Sequence, residues 1–108
     1  MISKELLSEV LSNKHIINNK NDLLIGEKEV ILFSKMGSYD ININIHELAH
    51  KCKEWAYESG VTNFLSGQSD YGRRCEFYWG FELSEFQANT EPEAIFKACE
   101  WVLENKER

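Results

Sequence analysis

A chain of 108 residues that is 43% hydrophobic is sized for one domain around one core, and 3 Trp, 4 Tyr and 6 Phe against 6 Gly and 1 Pro exclude a largely disordered or proline-rich polypeptide. A formal net charge of −6 argues against direct nucleic-acid binding, which needs clustered Lys and Arg. No run approaches the roughly 20 apolar residues of a membrane span, and MISKELLSEVL is unlike a secretory signal, so the cytoplasm is the expected location.

Leu6, Leu7, Val10 and Leu11 form one helical stripe over residues 3 to 11, with Ser3 as N-cap. The run Asn18 to Asp22 reads as a turn. Leu23 to Ile25 and Val30 to Phe33, joined through Gly26-Glu27-Lys28, read as a hairpin. Ile41, Ile43 and Ile45 then alternate with Asp40, Asn42 and Asn44, the pattern of a half-buried strand.

Asn44 and Glu47 have the spacing of a capping box and open a helix that runs to about Ser59 and stops at Gly60. Its apolar face is Ile45, Leu48, Ala49, Cys52, Trp55 and Ala56, which should pack on the sheet. Val61 to Leu65 is a strand, SGQSDYG a loop, and Cys75, Phe77, Trp79, Phe81 and Leu83 form the buried side of one further strand. Thr90, Glu93 and Pro92 start a last helix whose apolar residues cover more than half its circumference, so it needs a deep position or two packing partners. That broad face also leaves a homodimer contact open. The expected fold is α+β, a small antiparallel sheet of about four to five strands covered by three helices in the order α-β-β-β-α-β-β-α, as a two-layer or α/β/α sandwich.

Two helices share a further pattern: ELAHKCKEWAYE superposes on EAIFKACEWVLE, matching Glu47, Lys51, Glu54, Trp55 and Glu58 to Glu93, Lys97, Glu100, Trp101 and Glu104. A duplicated half and convergence under similar packing demands both produce such a match.

His46-Glu47-Leu48-Ala49-His50 fits HExxH, in which two histidines one turn apart bind zinc and the glutamate is the general base. Against it stand the positive helix N-terminus at His46, Lys53 one turn beyond His50, and the lack of a marked third ligand among His15, Glu82, Glu85, Glu93 and Glu100. The expectation is therefore no metal or other cofactor and two outward-facing histidines. The loop with Tyr71, Arg73 and Arg74 is a candidate anion-binding site, although it lacks the ending of a P-loop. Cys52, Cys75 and Cys99 read as small buried hydrophobes, without the surroundings of a nucleophile.

The segments INIHELAHKCKEWAYESG and ANTEPEAIFKACEWVLEN, with the opening ISKELLSEVL, resemble small uncharacterised proteins of bacterial phages and prophages, similar to the phage ABA sandwich type of domain. The resemblance implies an α+β sandwich at work in a bacterial host cell and carries no catalytic residues across. It also implies action on a host or phage protein, as in inhibitors of CRISPR and other defence systems. Tyr39, Tyr57, Tyr71 and Tyr78, at expected exposed positions, are the side chains such a surface would use.

Overall fold

A computed structural model of the chain describes residues 2–13, 16, 21–26, 28–34, 40–69 and 72–106. Helix α1 (Lys4–Val10) begins where the Ser3 hydroxyl accepts the Leu6 N–H at 3.1 Å, satisfying a first-turn amide. Strands β1 (Asn21–Ile25), β2 (Glu29–Ser34) and β3 (Asp40–Asn44) follow as an antiparallel meander. Its register pairs Leu23 with Leu32, Ile25 with Val30, Val30 with Ile43 and Leu32 with Ile41, which gathers six apolar side chains on one face. Asp22 and Asn21, expected in a turn, are the first residues of β1.

Asn44 ends β3 and caps helix α2 (Ile45–Glu58) in the same step. Its Oδ1 accepts the N–H groups of His46 at 2.9 Å and Glu47 at 3.3 Å, while the Ile45 N–H donates to the Lys28 carbonyl at 2.8 Å. Gly60, at φ +113°, reverses the chain after the Ser59 C-cap. A second meander, β4 (Val61–Ser69), β5 (Gly72–Trp79) and β6 (Glu82–Ala88), leads to helix α3 (Glu91–Asn105), where Thr90 Oγ1 accepts the Glu93 N–H at 3.2 Å.

The α+β class holds, but among the described residues six strands in two three-stranded sheets replace the expected single sheet of four to five. Two local events change the strands of the second sheet. Ser66 to Ser69, expected as loop, continue β4 and pair with Cys75 to Gly72, because a ladder is made by backbone groups and tolerates polar side chains on a wet face. Between β5 and β6 the chain turns at Gly80-Phe81, with Gly80 at φ +65° as a type II′ hairpin requires. Across a two-residue turn, opposed residues share a face, so Trp79 opposes Glu82, Phe77 opposes Ser84 and Cys75 opposes Phe86. The buried parity therefore passes from odd to even numbers. Phe81 and Leu83, expected inside, are exposed, and Phe86 takes the inner position.

Extents of 45 × 31 × 16 Å leave depth for one helix layer on one sheet layer, given a layer spacing of about 10 Å. Each sheet accordingly keeps one face in water, with Leu24 and Asn42 exposed on the first and Leu65, Tyr78 and Leu83 on the second. The inner faces and helices α1, α2 and α3 share one core. Phe77 lies at its centre, with ring centroids of Phe64 at 5.5 Å, Phe86 at 5.6 Å and Trp101 at 5.7 Å. The Cys75 thiol donates to the Ala94 carbonyl at 3.1 Å and the Cys99 thiol to the Cys52 carbonyl at 3.4 Å, linking β5 to α3 and α3 to α2. The broad apolar face of α3 is thus covered inside the chain, by its own sheet and by α2 and α1.

Both sheet-helix units have the order β-β-β-α, and their N-caps Asn44 and Thr90 stand at the same offset as Trp55 and Trp101. Shared order and shared cap position extend the helix likeness to whole units.

Truncation of the central ring should be felt throughout this core. Phe77→Ala is expected to lower unfolding stability by about 3–5 kcal/mol in urea titrations. Phe81→Ser, at a fully exposed turn position, should change it by less than about 0.5 kcal/mol.

Candidate functional site

His46, Glu47 and His50 all lie on the exposed side of α2. His46 and His50, one turn apart, line an open groove of about 210 Å³ between α2 and the start of α3, with Ala49, Pro92 and Ile95 as its floor and Lys53 and Glu91 at its rim. His50 stands at the helix position that corresponds to Phe96, which α3 buries completely. His50 Nε2 lies 2.8 Å from Glu54 Oε1 on the next turn, and both side chains are solvated. Lys53 donates to Ser66 Oγ at 2.5 Å, and that hydroxyl donates to Glu91 Oε1 at 2.6 Å. This chain of bonds ties α2, β4 and α3 together at the groove's end.

A catalytic zinc requires three protein ligands and an open position. Among the described residues no three His, Cys, Asp or Glu side chains gather closely enough to hold a metal ion. Glu82, Glu85, Glu93 and Glu100 do not line the groove, and His15 lies outside the described residues. Two imidazoles on the wall of an open groove, without a third ligand among the described residues, do not fit that requirement.

Of the candidate anion site, Tyr71 lies outside the described residues, as does Tyr39 of the contact tyrosines. Arg73 and Arg74 are consecutive in β5 and therefore project to opposite faces of the sheet. Arg74 serves the sheet itself. Glu76 and Glu85 stand directly opposite each other, a repulsive arrangement, and Arg74 Nη2 reaches both, at 3.0 and 3.4 Å. Tyr57 is likewise occupied, its hydroxyl accepting the Phe64 N–H at 3.0 Å and donating to the Phe64 carbonyl at 3.3 Å where β4 bulges.

Beside its charged row, the outer face of the second sheet carries exposed apolar side chains. Thr62, Tyr78 and Leu83 form one row across the three strands, and Leu65, Glu76 and Glu85 the next. Phe81 stands fully exposed at the hairpin tip beside the first row. Of these side chains only Tyr78 was expected at a contact surface. Phe81 and Leu83 escaped because their spacing continues the alternation of β5, and the signal that reveals them is Gly80, a turn residue inside a strand pattern.

The three cysteines are buried and unpaired. Burial, and next the neighbouring Cys99, push the Cys75 thiol from 9.0 up to about 12, and a hydrogen bond with Cys52, followed by burial, raises Cys99 as well. Neither is a thiolate nucleophile at neutral pH. Because the folded value of Cys75 exceeds its unfolded one, its contribution to stability is complete below pH 9 and is lost as pH rises toward 12. Urea unfolding between pH 8 and 11 should therefore show stability falling with pH, and falling less steeply in the Cys75→Val chain. Compared with known family models, with curated proteins and with solved structures, the chain matches none.

Proposed function

We propose that this protein is a binding module that acts by docking the outer face of its second sheet on a partner protein. The observation that carries this reading is Phe81, a fully exposed aromatic at a hairpin tip, adjoining exposed Tyr78 and Leu83 in one row. A large side chain that no part of the core uses, flanked by further apolar residues, is the composition of an interface centre. The surrounding carboxylates and the net charge of −6 favour a basic partner. The likeness of its helical segments to phage and prophage proteins supports a finer form of the reading: an accessory protein acting in a bacterial cytoplasm on a host factor, for instance as an inhibitor of CRISPR or another defence system. The other reading, an HExxH zinc peptidase using His46, Glu47 and His50, needs a third ligand that the described residues do not supply.

Affinity capture from bacterial host lysate separates the two. The wild-type chain and Glu47→Ala should each retain one protein stoichiometrically, and Phe81→Ser with Leu83→Ser should lose it while melting at an unchanged temperature. Peptide cleavage that chelators stop and Glu47→Ala abolishes would establish the peptidase instead.

A further inference from the structure

The outer row ends on β6, a free edge of the second sheet. In the two-residue hairpin Trp79 and Glu82 form the hydrogen-bonded pair, and strand alternation makes Phe77 with Ser84, Cys75 with Phe86, and Arg73 with Ala88 the next bonded pairs. The backbone N–H and C=O groups of Leu83, Glu85 and Gln87 therefore face away from β5. Lys97 reports the same parity, since its Nζ donates to the Gln87 carbonyl at 3.3 Å and so closes the far end of the edge. Among the described residues no other strand pairs with β6, which leaves the open groups of Leu83 and Glu85 and the Gln87 N–H as a short template.

Edge strands are normally blunted by bulges, proline or lysine. The opposite edge, β4, has such a device: Asn63 sits at φ +53°, the register shifts between Thr62 and Leu65, and Tyr57 takes up both backbone groups of Phe64. β6 has neither bulge, proline nor lysine in seven residues of unbroken register. Its charge selects the occupant. The Glu85 side chain is 53% exposed and lies at the longer of the two Arg74 distances, so its carboxylate is open to a further cation. A second copy pairing antiparallel about the middle of this edge would set Glu85 against Glu85 between two chains of net charge −6, a disfavoured arrangement.

Resting on the binding-module reading, we propose that β6 receives an extended segment of the partner protein as a fourth strand, apolar where it meets Leu83 and basic where it meets Glu85. Backbone bonds to the edge then supply attachment, and the side chains opposite Leu83 and Glu85 supply selectivity. Phe81 stands at the end of the edge nearest the hairpin, and Tyr78 lies behind Leu83 on β5.

The test uses blocked peptides of seven residues, threonine throughout except for valine at the third position and lysine at the fifth, together with the reversed order to allow either strand direction. Matching peptides with glutamate for lysine serve as controls. Fluorescence anisotropy should show binding of a lysine peptide, and the amide signals of Leu83, Glu85 and Gln87 should shift and exchange more slowly. Glu85→Pro removes an outward N–H and leaves the β5 ladder intact, and Glu85→Lys reverses the charge. Each should weaken the lysine peptide at least about tenfold, with Glu85→Lys preferring the glutamate peptide. Failure of both lysine peptides to bind, undiminished binding by both variants, or amide shifts confined to β4 or the α2 groove overturns strand addition. A lysate partner lost with Phe81→Ser but kept with Glu85→Pro also overturns it and leaves the binding module standing, whereas a partner lost with neither removes both.

Discussion

Neither three-stranded sheet has enough apolar surface to stand alone, because a small sheet needs a helix across its inner face to exclude water. For the second sheet, α3 is the element that answers this constraint. Phe96, Ala98, Cys99 and Val102 are fully buried along it, and Trp101 reaches the rings of Phe77, Trp79 and Phe86 on the second sheet. Its other contacts are with α2, through the Cys99 thiol, and with α1, where Glu100 accepts the Ser3 N–H at 2.7 Å. The first sheet joins the same core through Val30, Leu32 and Ile43. Packed on the second sheet and against α2 and α1, α3 joins the second unit to the helices that precede it.

Using one helix layer for both sheets has a consequence at the surface. Each sheet is covered once, and its outer face stays in water. On the second sheet that face carries a salt-linked row around Arg74, which the fold explains as relief of the Glu76 and Glu85 repulsion. The adjoining row of Tyr78 and Leu83, with Phe81 at the tip, has no comparable role in folding. An exposed apolar row of this kind on a sheet face has the composition of an interface centre.

The groove at His46 and His50 lies where α2 meets the start of α3. Phe96 is fully buried in α3, whereas His50, at the corresponding position of α2, is exposed and lines the groove. Lys53, Ser66 and Glu91 then close the end of the groove by hydrogen bonds among themselves, which gives their charges a structural use. The HExxH spelling is satisfied by residues that stand near each other because helical periodicity puts them there.

The helices were legible in the sequence because their signals are local. Ser3, Asn44 and Thr90 each satisfy amides within three residues, so cap, first turn and direction follow from a few neighbouring positions. Burial of Cys52, Cys75 and Cys99 and the two-sided role of the last helix followed likewise from helical and strand periodicity. The full length of β4 did not, since Ser66 to Ser69 become part of a strand only when Cys75 to Gly72 lie beside them. Nor did the facing of Phe81 and Leu83, because an alternating pattern reads the same through a hairpin until the pairing across Gly80-Phe81 fixes which side meets α3. Capping and amphipathicity are properties of consecutive residues, whereas sheet membership and the identity of the exposed face depend on surfaces brought together from distant parts of the chain.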